Sequence, residues 1–177
     1  MRIGWAMGLL IGCASPEQVL LDDWSGVYRL TQHRYNDEGC DEPGPEQAEP
    51  THVEVDGAAG IEAHLVEIRR CSDADTCEGA GWASALTDEL SETRMYGTLD
   101  DWAYFSGDFE GRCEVLHSKM IWERSTSDPD ALSIEVQFSS LSNVIVSDSD
   151  ACVDLQKALA GSDQCDIRLD LEARRVR

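Results

Sequence analysis

The stretch LSIEVQF, residues 132–138, alternates without a fault. Leu132, Ile134, Val136 and Phe138 leave an extended chain on one side, and Ser133, Glu135 and Gln137 on the other, because successive side chains of a strand point to opposite faces. One face suits a core and the other suits water. The same period recurs in both directions along the chain. Downstream, CDIRLDLEARRV (165–176) sets Ile167, Leu169, Leu171 and Ala173 against Arg168, Asp170, Glu172 and Arg174. Far upstream, Trp24, Gly26, Tyr28 and Leu30 alternate with Ser25, Val27, Arg29 and Thr31. THVEVDG (51–57) and IEAHLVEIRR (61–70) read as two strands around a hairpin turn at Gly57–Gly60. GWASALTDE (81–89), TRMYGTL (93–99), DWAYFSGDF (101–109) and GRCEVLHSKMIWER (111–124) read as four more, separated by glycine and acidic turns.

One helix interrupts the series. Asp148-Ser149-Asp150 supplies a cap for Ala151–Ala160, and Gly161 stops it. Its apolar stripe of Cys152, Val153, Leu155 and Leu159 is broad enough to need a cover, which a sheet wall would provide. NDEGCDEPGPEQAEP (36–50) holds three prolines and a run of acids, so it reads as an exposed loop. Short strands at close spacing predict a mainly β fold: an up-and-down antiparallel barrel with one late α-helix, or alternatively a β-sandwich.

Eight strands in meander order, a late helix and one more strand resemble the lipocalin layout. WSGVYRL (24–30) is similar to the first strand of lipocalin-like bacterial lipoproteins, where a Trp closes one barrel end. The stricter lipocalin pattern is Gly-x-Trp, whereas here Trp24 precedes Gly26. Strand phase carries Arg175 to the inward face at the barrel's end. Antiparallel pairing of first and last strands would then set its guanidinium over Trp24. Lipocalins use a similar Trp–Arg pair, with Arg174 or Arg168 taking the role if the register slips.

The chain begins MRIGWAMGLLIGCAS. A positive start, a short apolar run and a small residue before a change of character define a secretory signal. The run is too short to span a bilayer, which needs about 20 apolar residues. Leu10-Ile11-Gly12-Cys13 resembles the lipobox of bacterial lipoproteins. That resemblance implies diacylglycerol on the Cys13 thiol, cleavage before it and a membrane attachment through lipid. Ala14 after the cysteine agrees with release to the outer membrane of the bacterial envelope. The organisation expected is a signal peptide over residues 1–12, a lipidated tether over 13–22 and a single disulfide-stapled β domain over 23–177.

The whole chain carries a net charge of −21. Loss of residues 1–12 removes Arg2 and no acid, leaving 13 bases against 35 acids, a net −22. So acidic a body argues against nucleic-acid partners and against electrostatic binding to anionic lipid. Of seven cysteines, lipidation of Cys13 leaves six, an even number as an exported disulfide framework requires. Six cysteines allow 15 connectivities. Ranked by proximity they pair as Cys71–Cys77 across a pinched loop, Cys152–Cys165 at the two ends of the helix, and Cys40–Cys113. No CxxC pair is present and the four histidines are scattered, so no zinc site is expected.

Gly-x-Ser-x-Gly, HExxH and a glycine-rich phosphate loop are all missing from the sequence. Asp73-x-Asp75 and Asp148-x-Asp150 lack the glycine and distal Glu of a calcium loop. No cofactor, metal or catalytic residue is therefore assigned. The aromatic side chains Trp24, Tyr28, Trp82, Trp102, Tyr104 and Trp122 are the candidate lining of a barrel lumen. Two roles remain open: a lipid-anchored barrel holding a small apolar ligand, or a filled barrel meeting another envelope protein. The lipobox reading makes one prediction at once. Cys13→Ser abolishes incorporation of an acyl-chain analogue in metabolic labelling; label retained on the variant would contradict it.

Overall fold

A computed structural model describes residues 15–36, 40, 50–60, 64–79, 81–106, 111–162 and 164–177. Cys13 and the rest of the signal segment lie outside these residues, as does most of the proline-rich loop. Among the described residues the chain forms α1 (Pro16–Trp24), β1 (Gly26–Asn36), β2 (His52–Ala59), β3 (His64–Cys71), β4 (Ala83–Leu90), β5 (Arg94–Phe105), β6 (Gly111–Arg124), β7 (Ala131–Val146), α2 (Ser149–Ala160) and β8 (Ile167–Arg175). Each strand pairs antiparallel with the next, and β8 returns to β1, from Tyr28 opposite Arg175 to Asn36 opposite Arg168. The sheet is thus a closed eight-stranded up-and-down barrel with no open edge, and a sandwich is excluded.

The alternation in β7 and β8 does what its period dictates. Leu132, Ile134 and Val136 are buried, as are Leu169, Leu171 and Ala173 on the neighbouring strand. They join Tyr28, Val53, Val55, Val66, Ile68, Met95, Met120 and Trp122 in one core inside the barrel. Large side chains buried this completely contribute roughly 1.5–3 kcal/mol each.

Three elements differ from the sequence reading. TRMYGTL and DWAYFSGDF are one strand, β5, paired without interruption to β6 from Arg94–Glu123 to Phe105–Arg112. The acids Asp100 and Asp101 simply face outward and toward the barrel mouth in turn. The β2–β3 hairpin turns later than Gly57: that glycine pairs with Val66, and Ala59 with His64. Gly57 stays within the strand and leaves room for Leu21, whose Cδ2 would lie 3.0 Å from a Cβ there. The third difference is α1. Residues 16–24 form a helix instead of a tether and a strand start. Ser15 caps it, its hydroxyl accepting from Gln18 N at 3.1 Å, and Pro16 fits the first turn, where no amide hydrogen is needed. The folded body therefore includes residues before 23.

The late helix obeys its signals. The Asp148 carboxylate accepts from Ala151 N at 2.9 Å, and that bond holds its pKa below the ordinary value. The Gly161 N–H closes the far end on Lys157 O at 3.1 Å. α2 lies on the outer wall, because β6 is buried on one face along its first half and on the other along its second. Met120 and Trp122 point inward, whereas Cys113 and Val115 fall on the opposite phase and pack with Cys152 and Leu159 of α2.

This placement decides the disulfides. Cys71–Cys77 forms as expected, but Cys152–Cys165 and Cys40–Cys113 do not. The bonds are Cys40–Cys165 and Cys113–Cys152, with Cα separations of 4.6 and 5.5 Å. Cys152, in the first turns of α2, faces the outer wall at Cys113, while the length of the helix carries Cys165 away from it. Pairing of β1 with β8 then brings Cys40, just beyond β1, beside Cys165, just before β8. Peptide mapping without reduction is expected to recover these three pairs. Removing both sulfurs of Cys113–Cys152 should lower the unfolding free energy by about 2–4 kcal/mol; recovery of a Cys152–Cys165 peptide would contradict the placement of α2.

Candidate functional site

In a small barrel, a ligand reaches the lumen through one of its two ends. At one end the chain leaves α1 and turns into β1 through Ser25 and Gly26. Gly26 adopts φ +154°, and a Cβ there would come within 2.5 Å of Arg177 O. The turn throws the Trp24 ring across the barrel end, 1% exposed. Its indole N–H donates to Ser91 O, in the β4–β5 connection, at 2.8 Å.

A helix end leaves carbonyls without partners, and three of those here find one. Leu21 O accepts from the Ser25 N–H and hydroxyl, both at 2.8 Å. Trp24 O accepts from the Tyr28 hydroxyl at 2.8 Å. Asp23 O accepts from Arg124 and from Arg175, each at 2.9 Å. Two cations at the negative end of the helix dipole add to these bonds. Burial pushes the Tyr28 phenol above its ordinary pKa, which keeps it a donor to Trp24 O.

The expected cation–π pair exists with a different partner. Arg124 of β6 lies over Trp24, 4.4 Å from the ring centroid, and also pairs with the Asp23 carboxylate. Arg175 binds the carbonyls of Asp23 and Ser25 instead. The reason is that Trp24 belongs to α1 and not to β1, so its ring reaches past β8 toward β5 and β6. The Arg124 side chain is 8% exposed, and a cation–π contact this desolvated contributes about 2 kcal/mol or more.

Of the candidate lumen residues, Trp24, Tyr28 and Trp122 are inside and at most 1% exposed. With Met95, Met120, Ile134 and Leu169 they fill the interior above α1. Trp82 packs against the upper edge of that core. There, Arg70 lies 4.4 Å over its ring, and His33 stands between Trp82 and Tyr35, with centroid separations of 6.1 and 5.2 Å. Arg70, opposite inward-facing Val53, points into the barrel. This polar and aromatic group at the mouth carried no signal of its own in the sequence.

Trp102 and Tyr104 are not in the lumen. Register sets Trp102 opposite Val115 and Tyr104 opposite Cys113, on the outer face toward α2. Trp102 remains 42% exposed. Division of β5 into two strands loses the phase that runs from Met95 inward through Gly97 and Leu99. Asp73 and Asp148 serve local structure: Asp73 accepts from Asp75 N at 2.9 Å, and Asp148 caps α2. Comparison of the chain with protein-family models, with curated proteins and with solved structures finds no match in any of the three.

Proposed function

We propose that the chain is a lipid-anchored bacterial envelope protein whose filled barrel acts as a rigid interaction module. The observation that carries this reading is the packed interior. Trp24, Tyr28, Met95, Met120 and Trp122 occupy the space that a carrier would leave for an apolar cargo. An apolar ligand would have to displace side chains whose burial stabilises the fold.

The anchor rests on the Leu10–Cys13 lipobox. Cys13 precedes the capping residue Ser15 by two positions, and two residues reach at most about 7 Å. Lipid on Cys13 would therefore hold the α1 end of the barrel against the bilayer and direct the Arg70–Trp82 mouth away from it. A body of net charge −22 is repelled by anionic lipid, so the acyl chains must supply the attachment. The acidic outer wall and the distal mouth are then the surfaces offered to a second envelope protein.

Titration of the delipidated protein with the apolar fluorophore N-phenyl-1-naphthylamine tests the filled barrel. The expected result is no saturable binding tighter than about 10 μM, equivalent to roughly −7 kcal/mol. Low-micromolar binding that Trp122→Phe alters would overturn this reading in favour of an apolar carrier.

A further inference from the structure

Outside the barrel, the faces of β5, β6, β7 and β8 below the end of α2 enclose a polar cavity of about 510 Å³. Two cross-strand rows build its floor. In the first, Asp100, His117 and Ser139 stand opposite one another on three successive strands. Asp100 Oδ1 lies 2.7 Å from His117 Nδ1, which leaves Nε2 as the free edge of the ring. Ser139 is buried, and its hydroxyl donates to Gln164 O at 2.5 Å. That bond fixes the wall and withdraws the hydroxyl from nucleophilic use.

The second row is Thr98, Lys119, Gln137 and Arg168. Arg168 pairs with two carboxylates, Glu135 at 3.0 Å and Asp170 at 3.1 Å. Gln137 donates its amide to the same Glu135 at 2.6 Å. Every acid touching the floor is thus engaged. Lys119 is not: its ammonium lies 6.0 Å from the Tyr96 ring centroid and forms no ion pair with any described residue. The chain has only two lysines, and the other, Lys157, is exposed on α2 with Asp154 at 4.0 Å.

Lys119 is thus a cation with no acid partner among the described residues, and its field acts in a concave site on a chain of net charge −21. Walls of low dielectric concentrate that field on whatever enters. The cavity is much larger than a lone acetate or phosphate ion would fill, and its lining adds the hydroxyls of Thr98 and Ser162 and the Gln164 amide beside the Cys40–Cys165 disulfide. We propose that this outer-wall cavity binds a small polyhydroxylated anion, a sugar acid or sugar phosphate, with its charge on Lys119 and its hydroxyls on His117 Nε2, Asp100 and Gln164. This site shares the outer wall with the interaction role proposed for the barrel but does not rest on that role, since binding of a small anion needs no partner protein.

Calorimetric titration of the delipidated full domain with glucuronate, glucose 6-phosphate and neutral glucose tests it. Saturable binding of one or both anions is expected, with glucose at least tenfold weaker, and the tighter anion identifies carboxylate or phosphate as the preferred head. Lys119→Gln should weaken binding tenfold or more, Lys119→Arg should retain it, and Lys157→Gln should leave it unchanged. Shifts of the His117 ring resonances on titration would place the ligand in the cavity. Absence of binding by all three compounds, equal binding of glucose, or equal loss in the Lys119→Gln and Lys157→Gln variants would each overturn the proposal. A thermal midpoint for Lys119→Gln equal to that of the parent separates lost binding from lost fold.

Discussion

The seat of the Trp24 ring organises one end of this molecule. A barrel of eight strands has two open ends, and each exposes the core unless something covers it. Here the cover is the last residue of α1, held at three points: Ser91 O on its indole N–H, Arg124 on its ring face and Tyr28 on its backbone carbonyl. The first two partners come from the β4–β5 connection and from β6, on the far side of the barrel from β1. A single side chain thereby ties the start of the fold to its middle. Leu21, seated over Gly57, and Gln18, whose side-chain oxygen accepts from Ala59 N at 3.0 Å, extend the same attachment to β2.

Closure of the sheet supplies the second constraint, and much of the remaining covalent structure follows from it. Once β8 lies beside β1, Cys40 and Cys165 are neighbours. Once the inner phase of β6 belongs to Met120 and Trp122, Cys113 must look outward, where α2 brings Cys152 to meet it. A staple of 125 residues' separation and one of 39 thus lock the barrel seam and the helix to the wall. The β6 strand carries both cores at once, and no register shift in its pairing with β5 permits any other assignment of faces.

The parts legible in the sequence are those where one period persists. LSIEVQF, the alternating run to Arg174, and the Asp148–Gly161 helix each carry their own boundaries, and the structure places them as read. The strand phase of β5 was lost because Asp100-Asp101 mimics a turn, and with it the sides of Trp102 and Tyr104. α1 escapes a reading by period although Ser15-Pro16 holds a cap and a first-turn proline. Its apolar content is thin, and its stability comes from the barrel end it covers, not from its own propensity. Arg124 could not be found at all. It lies 101 residues from Asp23, and only the curvature of the closed sheet brings the two together. The same holds for the outer cavity, since Lys119 is unremarkable until its acidic neighbours are seen to be engaged elsewhere.

The most direct measurement of the account is the denaturant unfolding of Trp24→Ala. Truncation of a ring this buried should cost about 3–5 kcal/mol, and added indole should recover part of that loss by refilling the barrel end. A loss below about 1 kcal/mol, unchanged by indole, would mean that Trp24 does not close the barrel and would contradict the account at its centre.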